Sequence, residues 1–135
     1  MRRIDTIVIH YAATPQGRDV DIEDVRRWHM ERGWNDVGYH YFIKLDGTIQ
    51  IGRDLKTIGA HVKGHNRYSI GVCYAGGTIQ GESADTRTEE QEYSLGVLLT
   101  TLKRIFPFAK IVGHRDLAAT GCPGFDAKYE YSLIS

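Results

Sequence analysis

Three short runs in this sequence are apolar almost without interruption: Ile7-Val8-Ile9 in "IDTIVIHYAAT", Ile70 to Ala75 in "SIGVCYAGG", and Ile111-Val112 in "AKIVG". A strand with one wet face alternates apolar and polar residues, so runs without alternation belong to strands covered on both faces. The covering layers are also visible. "DIEDVRRWHMERG" reads as a helix, with Asp21 as N-cap, a stripe of Ile22, Val25 and Trp28 or His29, and Gly33 as the stop. "TRTEEQEYSLGVLLTTLKRIF" is a clearer helix. Thr88 and Gln91 form a capping box, Leu95, Leu98, Leu102 and Ile105 keep helical spacing, and Pro107 ends it. "GYHYFIKLDGTIQIGRD" reads as a hairpin with Asp46-Gly47 at a type I′ turn. A last helix starts near Asp126. The order strand, helix, hairpin, strand, helix, strand, helix predicts a mixed α/β domain, a central β-sheet covered by helices.

At 135 residues the chain fits one domain spanning 1–135, large enough to bury a core without disulfides. Seventeen basic residues balance seventeen acidic ones, so no global charge draws it to nucleic acid or to an anionic membrane. No apolar run approaches the roughly 20 residues of a membrane span. Asp5 and His10 interrupt the only segment resembling a signal peptide. The sequence therefore predicts a monomer made in the cytoplasm, with its two cysteines as thiols or ligands rather than a bridge.

The chemistry concentrates at strand ends. His10 and His114 each follow a short apolar strand, and Cys122 lies eight residues after His114 in a loop closed by Pro123-Gly124. α/β proteins gather functional groups at such ends. Two imidazoles and a thiolate suit zinc, and three protein ligands leave the fourth tetrahedral position open, as in catalytic sites. The spacing is equally compatible with a nucleophilic Cys122 using His10 or His114 as base, or with unrelated placement.

The blocks "DTIVIHYAAT", "GYHYFIKLDGTIQIGRD", "GAHVKGHNRYSIGVCYAGG" and "GHRDLAATGCPGFD" resemble, in order and over nearly the whole chain, those of the zinc-dependent N-acetylmuramoyl-L-alanine amidases. That family includes the amidase-type bacteriophage lysozymes and the peptidoglycan recognition proteins. The resemblance implies one zinc ion held by His10, His114 and Cys122. It implies hydrolysis of the amide between N-acetylmuramic acid and L-alanine in peptidoglycan, with Tyr39 beside the metal and His61 and Asn66 on the substrate groove. Relatives that only bind muropeptide tend to replace the cysteine ligand, so Cys122 favours an enzyme over a non-catalytic binding module. The phage enzymes carry lysine two positions before that cysteine; here Thr120 stands there and offers a hydroxyl donor. The resemblance further implies action on the cell wall, reached through a phage-type membrane pore.

Five other residues carry less specific expectations. His40 is read as a core residue or as support behind the site, His29 as a helix-face residue and Cys73 as a small buried hydrophobe. Arg115 and Asp116 either steady the His114 loop or form a surface ion pair.

Overall fold

The computed structural model describes residues 1–134; Ser135, the end of the expected domain, lies outside them. The main sheet has five strands in the order β4-β3-β5-β1-β8, where β1 is Thr6–Tyr11, β3 Tyr41–Ile43, β4 Ile49–Ile51, β5 Ser69–Tyr74 and β8 Lys110–Gly113. β1, β3, β5 and β8 run parallel, and β4 closes one edge antiparallel to β3. The three non-alternating runs lie in β5, β1 and β8, side by side, and all six residues of β5 are buried.

Side chains of a strand alternate between faces, and the core divides accordingly. Ile7 and Ile9 join Ile70, Val72 and Tyr74 against helix α2, Glu89–Ile105. Phe42 and Cys73 face the opposite way, towards Ile22 and Val25 of helix α1, Ile22–Glu31. Val8 packs with Val62 and Val112. Both helices start as their sequences predict. Asp21 and Asp24 cap α1 reciprocally, as do Thr88 and Gln91 for α2. Gln91 also donates to the carbonyls of Ile43 and Ala75 at 3.2 and 2.9 Å, tying α2 to the ends of β3 and β5.

Three details differ from the sequence reading. The buried stripe of α2 is Gln91, Leu95, Leu98, Leu99 and Leu102, whereas Ile105 is 58% exposed. Leu102 in the last turn and Phe106 just past it take the core-facing positions, which leaves Ile105 outside. The hairpin turn is not type I′. Gly47 N–H donates to Lys44 O, Lys44 N–H donates to Thr48 O, and of the Asp46-Gly47 pair only Gly47 has positive φ, +87°. That is a three-residue loop with glycine in the left-handed position. Third, segments to which the sequence assigns no strand form a small second sheet of β2 (Thr14–Pro15), β6 (Gly77–Ile79) and β7 (Glu82–Ser83). A final short helix, α3, spans Ala127–Glu130 behind its N-cap Asp126. Among the described residues no helix is long and apolar enough to cross a membrane.

Candidate active site

The parallel register puts two imidazoles next to each other. Ile9 of β1 pairs with Gly113, the last residue of β8, so His10 and His114 each follow directly on that pair. Their ring centroids are 4.7 Å apart. After Gly113 the chain turns into a 3-10 helix, His114–Asp116, whose start is held by Gly113 N–H donating to Asp116 Oδ2 at 2.8 Å. Asp116 thus steadies the His114 loop.

Cys122 arrives from the other end of the same loop. Arg115 N–H donates to the Cys122 carbonyl at 2.8 Å, and Tyr74 Oη donates to the Pro123 carbonyl at 2.6 Å. Gly121 and Gly124 allow close seating: a Cβ on either would fall 2.5 Å from Ser83 Oγ or 2.3 Å from Ala84 O. Tyr11 N–H donates to Cys122 Sγ at 3.2 Å. One ligand atom from each of His10, His114 and Cys122 then lies within 4.8 Å of the others.

The separations suit a tetrahedral cation. Bonds of ~2.0–2.1 Å to nitrogen and ~2.3 Å to sulfur set those two atoms about 3.6 Å apart; His10 Nδ1 and Cys122 Sγ are 3.9 Å apart. The electrostatics agree. Burial, followed by the neighbouring His61 and His114, holds the His10 imidazole well below its ordinary pKa, so it is neutral with a lone pair to offer. Burial also lowers His114. Burial pushes the Cys122 thiol up to about 12, with the Tyr11 N–H acting the other way. A buried thiol between neutral imidazoles is a poor free nucleophile, and a divalent cation is the group that deprotonates it outright.

The cluster forms the floor of a cleft of about 270 Å³. Tyr39 lines it, its ring centroid 5.0 Å from that of His10. Burial, then the nearby Cys73 and Cys122 sulfurs, raise the Tyr39 phenol well above its usual value, so its O–H keeps its proton. Thr120 stands exposed on the rim. Its Oγ1 accepts from Cys122 N–H at 3.3 Å, leaving the hydroxyl proton free to turn into the cleft.

His61 lines the cleft but reaches inward, its Nδ1 2.9 Å from His10 Nε2. Asn66, expected on the groove, is absent from its lining. Its Oδ1 accepts from the N–H groups of His61 and Val62, both at 2.9 Å. His40 is fully buried behind the site, Nδ1 accepting from Gly71 N–H and Nε2 donating to Thr57 O. Cys73 is fully buried, as its apolar run predicts.

The sequence reading missed one wall. Trp28, His29, Arg32 and Trp34 line the cleft from α1 and the turn after it. His29 Nδ1 accepts from Gly38 N–H at 2.9 Å, and its ring lies 5.4 Å from Tyr39 and 4.6 Å from Trp34. Burial, helped by Arg32 and Arg53, lowers His29 to about 4. Among the described residues, Arg32 is the sole lining residue with a permanent charge, and its guanidinium lies 5.9 Å from the Trp34 ring. The signal was present in "RRWHMERGW": two indoles flanking a histidine are more than a covering stripe needs.

Residues 1–125 match the family model for N-acetylmuramoyl-L-alanine amidase. The chain belongs to this amidase family. Its similarity to the endolysin of Escherichia phage T7 is 43% identity over 125 residues, covering 92% of this chain and 83% of that one. Among solved structures, the amidase LysC from Clostridium intestinale matches with a TM-score of 0.81 and 28% identity, covering 96% of this chain and 82% of that chain. Drosophila PGRP-LB, as a mutant in complex with tracheal cytotoxin, matches with a TM-score of 0.81 and 26% identity, covering 98% of this chain and 82% of that chain. Amidases and recognition proteins thus share this mixed α/β architecture.

Proposed function

We propose that this chain is a zinc-dependent amidase that cleaves the bond between N-acetylmuramic acid and L-alanine in bacterial peptidoglycan. The observation that carries the reading is the convergence of His10, His114 and Cys122 on the floor of an open cleft. Two nitrogens and a sulfur suit zinc, and three ligands leave a position for water or substrate. The endolysin and amidase relatives support the reaction class. The complex of PGRP-LB with tracheal cytotoxin supports a muropeptide as the molecule the cleft takes.

In this reading His10, His114 and Cys122 hold the ion. When bound, zinc supplies Lewis-acid polarisation of the amide carbonyl and lowers the pKa of bound water to roughly 7. The chain's own groups do the rest. Tyr39 Oη and Thr120 Oγ1–H share the cleft with the cluster and donate hydrogen bonds to the oxygen where negative charge grows. The indole wall of Trp28 and Trp34 offers apolar faces to sugar and peptide, and Arg32 meets a stem-peptide carboxylate. The whole of residues 1–135 acts as the catalytic domain, as a monomer at the cell wall.

The test is zinc stoichiometry together with release of stem peptide from purified cell wall. One zinc per chain is expected, with activity abolished by a chelator and restored by added zinc. Cys122→Ser should lose most activity and most bound metal, because a neutral hydroxyl is a far poorer zinc ligand than a thiolate. A protein that holds zinc and binds muropeptide without cutting it would be a recognition module. Loss to thiol alkylation with indifference to chelators would mean a cysteine hydrolase.

A further inference from the structure

We infer that His61 is a positioning residue that supports the metal-binding tautomer of His10 by accepting its Nε2–H, within a hydrogen-bonded row, His10–His61–Ser69. The inference rests on the metal-hydrolase reading above and assigns His61 a role other than contact with substrate.

The row is defined by two distances. His10 Nε2 lies 2.9 Å from His61 Nδ1, and His61 Nε2 lies 3.1 Å from Ser69 Oγ. The His10 and His61 rings are nearly perpendicular, at 86°, as an in-plane N–H meeting a lone pair on a second ring allows. The opposite nitrogen of His10, Nδ1, is the one facing Cys122 Sγ.

Neutral imidazole carries one proton, so the row has two polarities. In one, Ser69 Oγ–H donates to His61 Nε2 and His61 Nδ1–H donates to His10 Nε2. His10 then holds its proton on Nδ1, the atom that must bind the cation, and cannot ligate. In the other, His10 Nε2–H donates to His61 Nδ1 and His61 Nε2–H donates to Ser69 Oγ. Only this polarity frees the Nδ1 lone pair. A hydrogen bond accepted from the far nitrogen also fixes the ring and makes the ligating nitrogen more basic.

The surroundings are built to hold His61 there. Asn66 Oδ1 binds the backbone N–H groups of His61 and Val62, fixing the segment from which the ring projects. The ring lies over Gly71 of β5, where a Cβ would sit 2.7 to 2.9 Å from its Cγ, Cδ2 and Nδ1. Gly59 leaves similar room, with a Cβ there 2.8 Å from His61 Cδ2. Ser69, at the far end, is buried. Both ring nitrogens of His61 are engaged in the competent polarity, so none remains for substrate.

The test uses zinc alone, titrated against a chromophoric chelator, with cobalt substitution as a spectroscopic readout of the ligand set. His61→Leu should weaken zinc binding by about 10- to 100-fold and change the cobalt spectrum. His61→Asn should restore most of the affinity, because Oδ1 takes the place of Nδ1 as acceptor. Ser69→Ala should weaken binding less, by up to about 10-fold. Unchanged zinc affinity and an unchanged cobalt spectrum in His61→Leu, with a raised KM for cell-wall substrate, would overturn the inference and return His61 to the groove. Should the leucine variant fail to fold, unchanged affinity in Ser69→Ala together with loss in His61→Asn overturns it equally. A wild-type chain that takes up no zinc would sink the metal reading and this inference with it; a wild type that binds zinc with indifferent variants sinks only the inference.

Discussion

At the scale of single residues, Tyr39 shows how environment decides chemistry. A phenol beside a hydrolytic centre suggests a base, but burial and the two nearby sulfurs raise it well above its usual range. It is a donor. Tyr39→Phe removes one O–H and keeps the ring that packs against His10 and His29. Turnover should fall about 10²- to 10³-fold, the loss typical of one oxyanion donor, with KM and zinc content unchanged. Steady-state kinetics beside metal analysis would show this, and undiminished turnover would leave Thr120 as the sole side-chain donor. His10, His114 and Cys122 were legible as candidates because strand ends and residue chemistry select them. The inward turn of His61 was not, because its partner His10 lies 51 residues away and nothing in "GAHVKGHN" records it. The part Asn66 plays within its loop was not legible for a local reason: its position is visible, whereas its bonds back to residues 61 and 62 exist only once the loop has closed.

At the scale of elements, register does the assembly. One step of slip between β1 and β8 would turn His10 to the α2 side of the sheet and separate it from His114. The non-alternating runs made the central strands legible, and the N-cap Asp21 and the Thr88–Gln91 capping box made the two helix starts so. The small sheet was not legible, since strands of two or three residues carry no period and β2 contains a proline. Gly71 is where register and site meet. Residue 71 pairs with Val8, and its missing side chain is the space His61 fills. Gly71→Ala should therefore push the His61 ring away. The expected result is a loss of about 1–3 kcal/mol in stability by urea unfolding, with weakened zinc binding in the same variant. Loss of stability with intact zinc affinity would mean the strand absorbed the methyl group and the ring stayed in place.

At the scale of the whole molecule, the Cys122 loop depends on a cation far from the cleft. The Arg87 side chain is 2% exposed. It makes two bonds of 2.9 Å to the Asp85 carboxylate, bonds of 2.6 and 2.8 Å to Glu130 of α3, and one of 2.9 Å to Tyr131 Oη. Its guanidinium carbon also sits 3.4 Å from the centre of the Phe125 ring, three residues after Cys122. One side chain thus joins the segment preceding α2, the last helix and the ligand loop. Removing one partner of a fully buried pair costs about 3–5 kcal/mol. Asp85 and Glu130 keep 39% and 43% exposure and can be rehydrated, so Arg87→Met should cost less, about 2–3 kcal/mol. The pH dependence separates charge from packing. Burial pushes the Asp85 carboxyl up, but hydrogen bonds to Arg87 and its charge outweigh this and hold the folded pKa below the usual range. A depressed carboxylate pKa contributes stability that is full above its unfolded value near ~3.9 and is lost as pH falls through the lower folded value. The difference in urea midpoint between wild type and Arg87→Met should therefore be widest at neutral pH and narrow as pH drops below about 4. A difference that stays constant into acid would assign the loss to guanidinium packing on Phe125 rather than to the ion pairs.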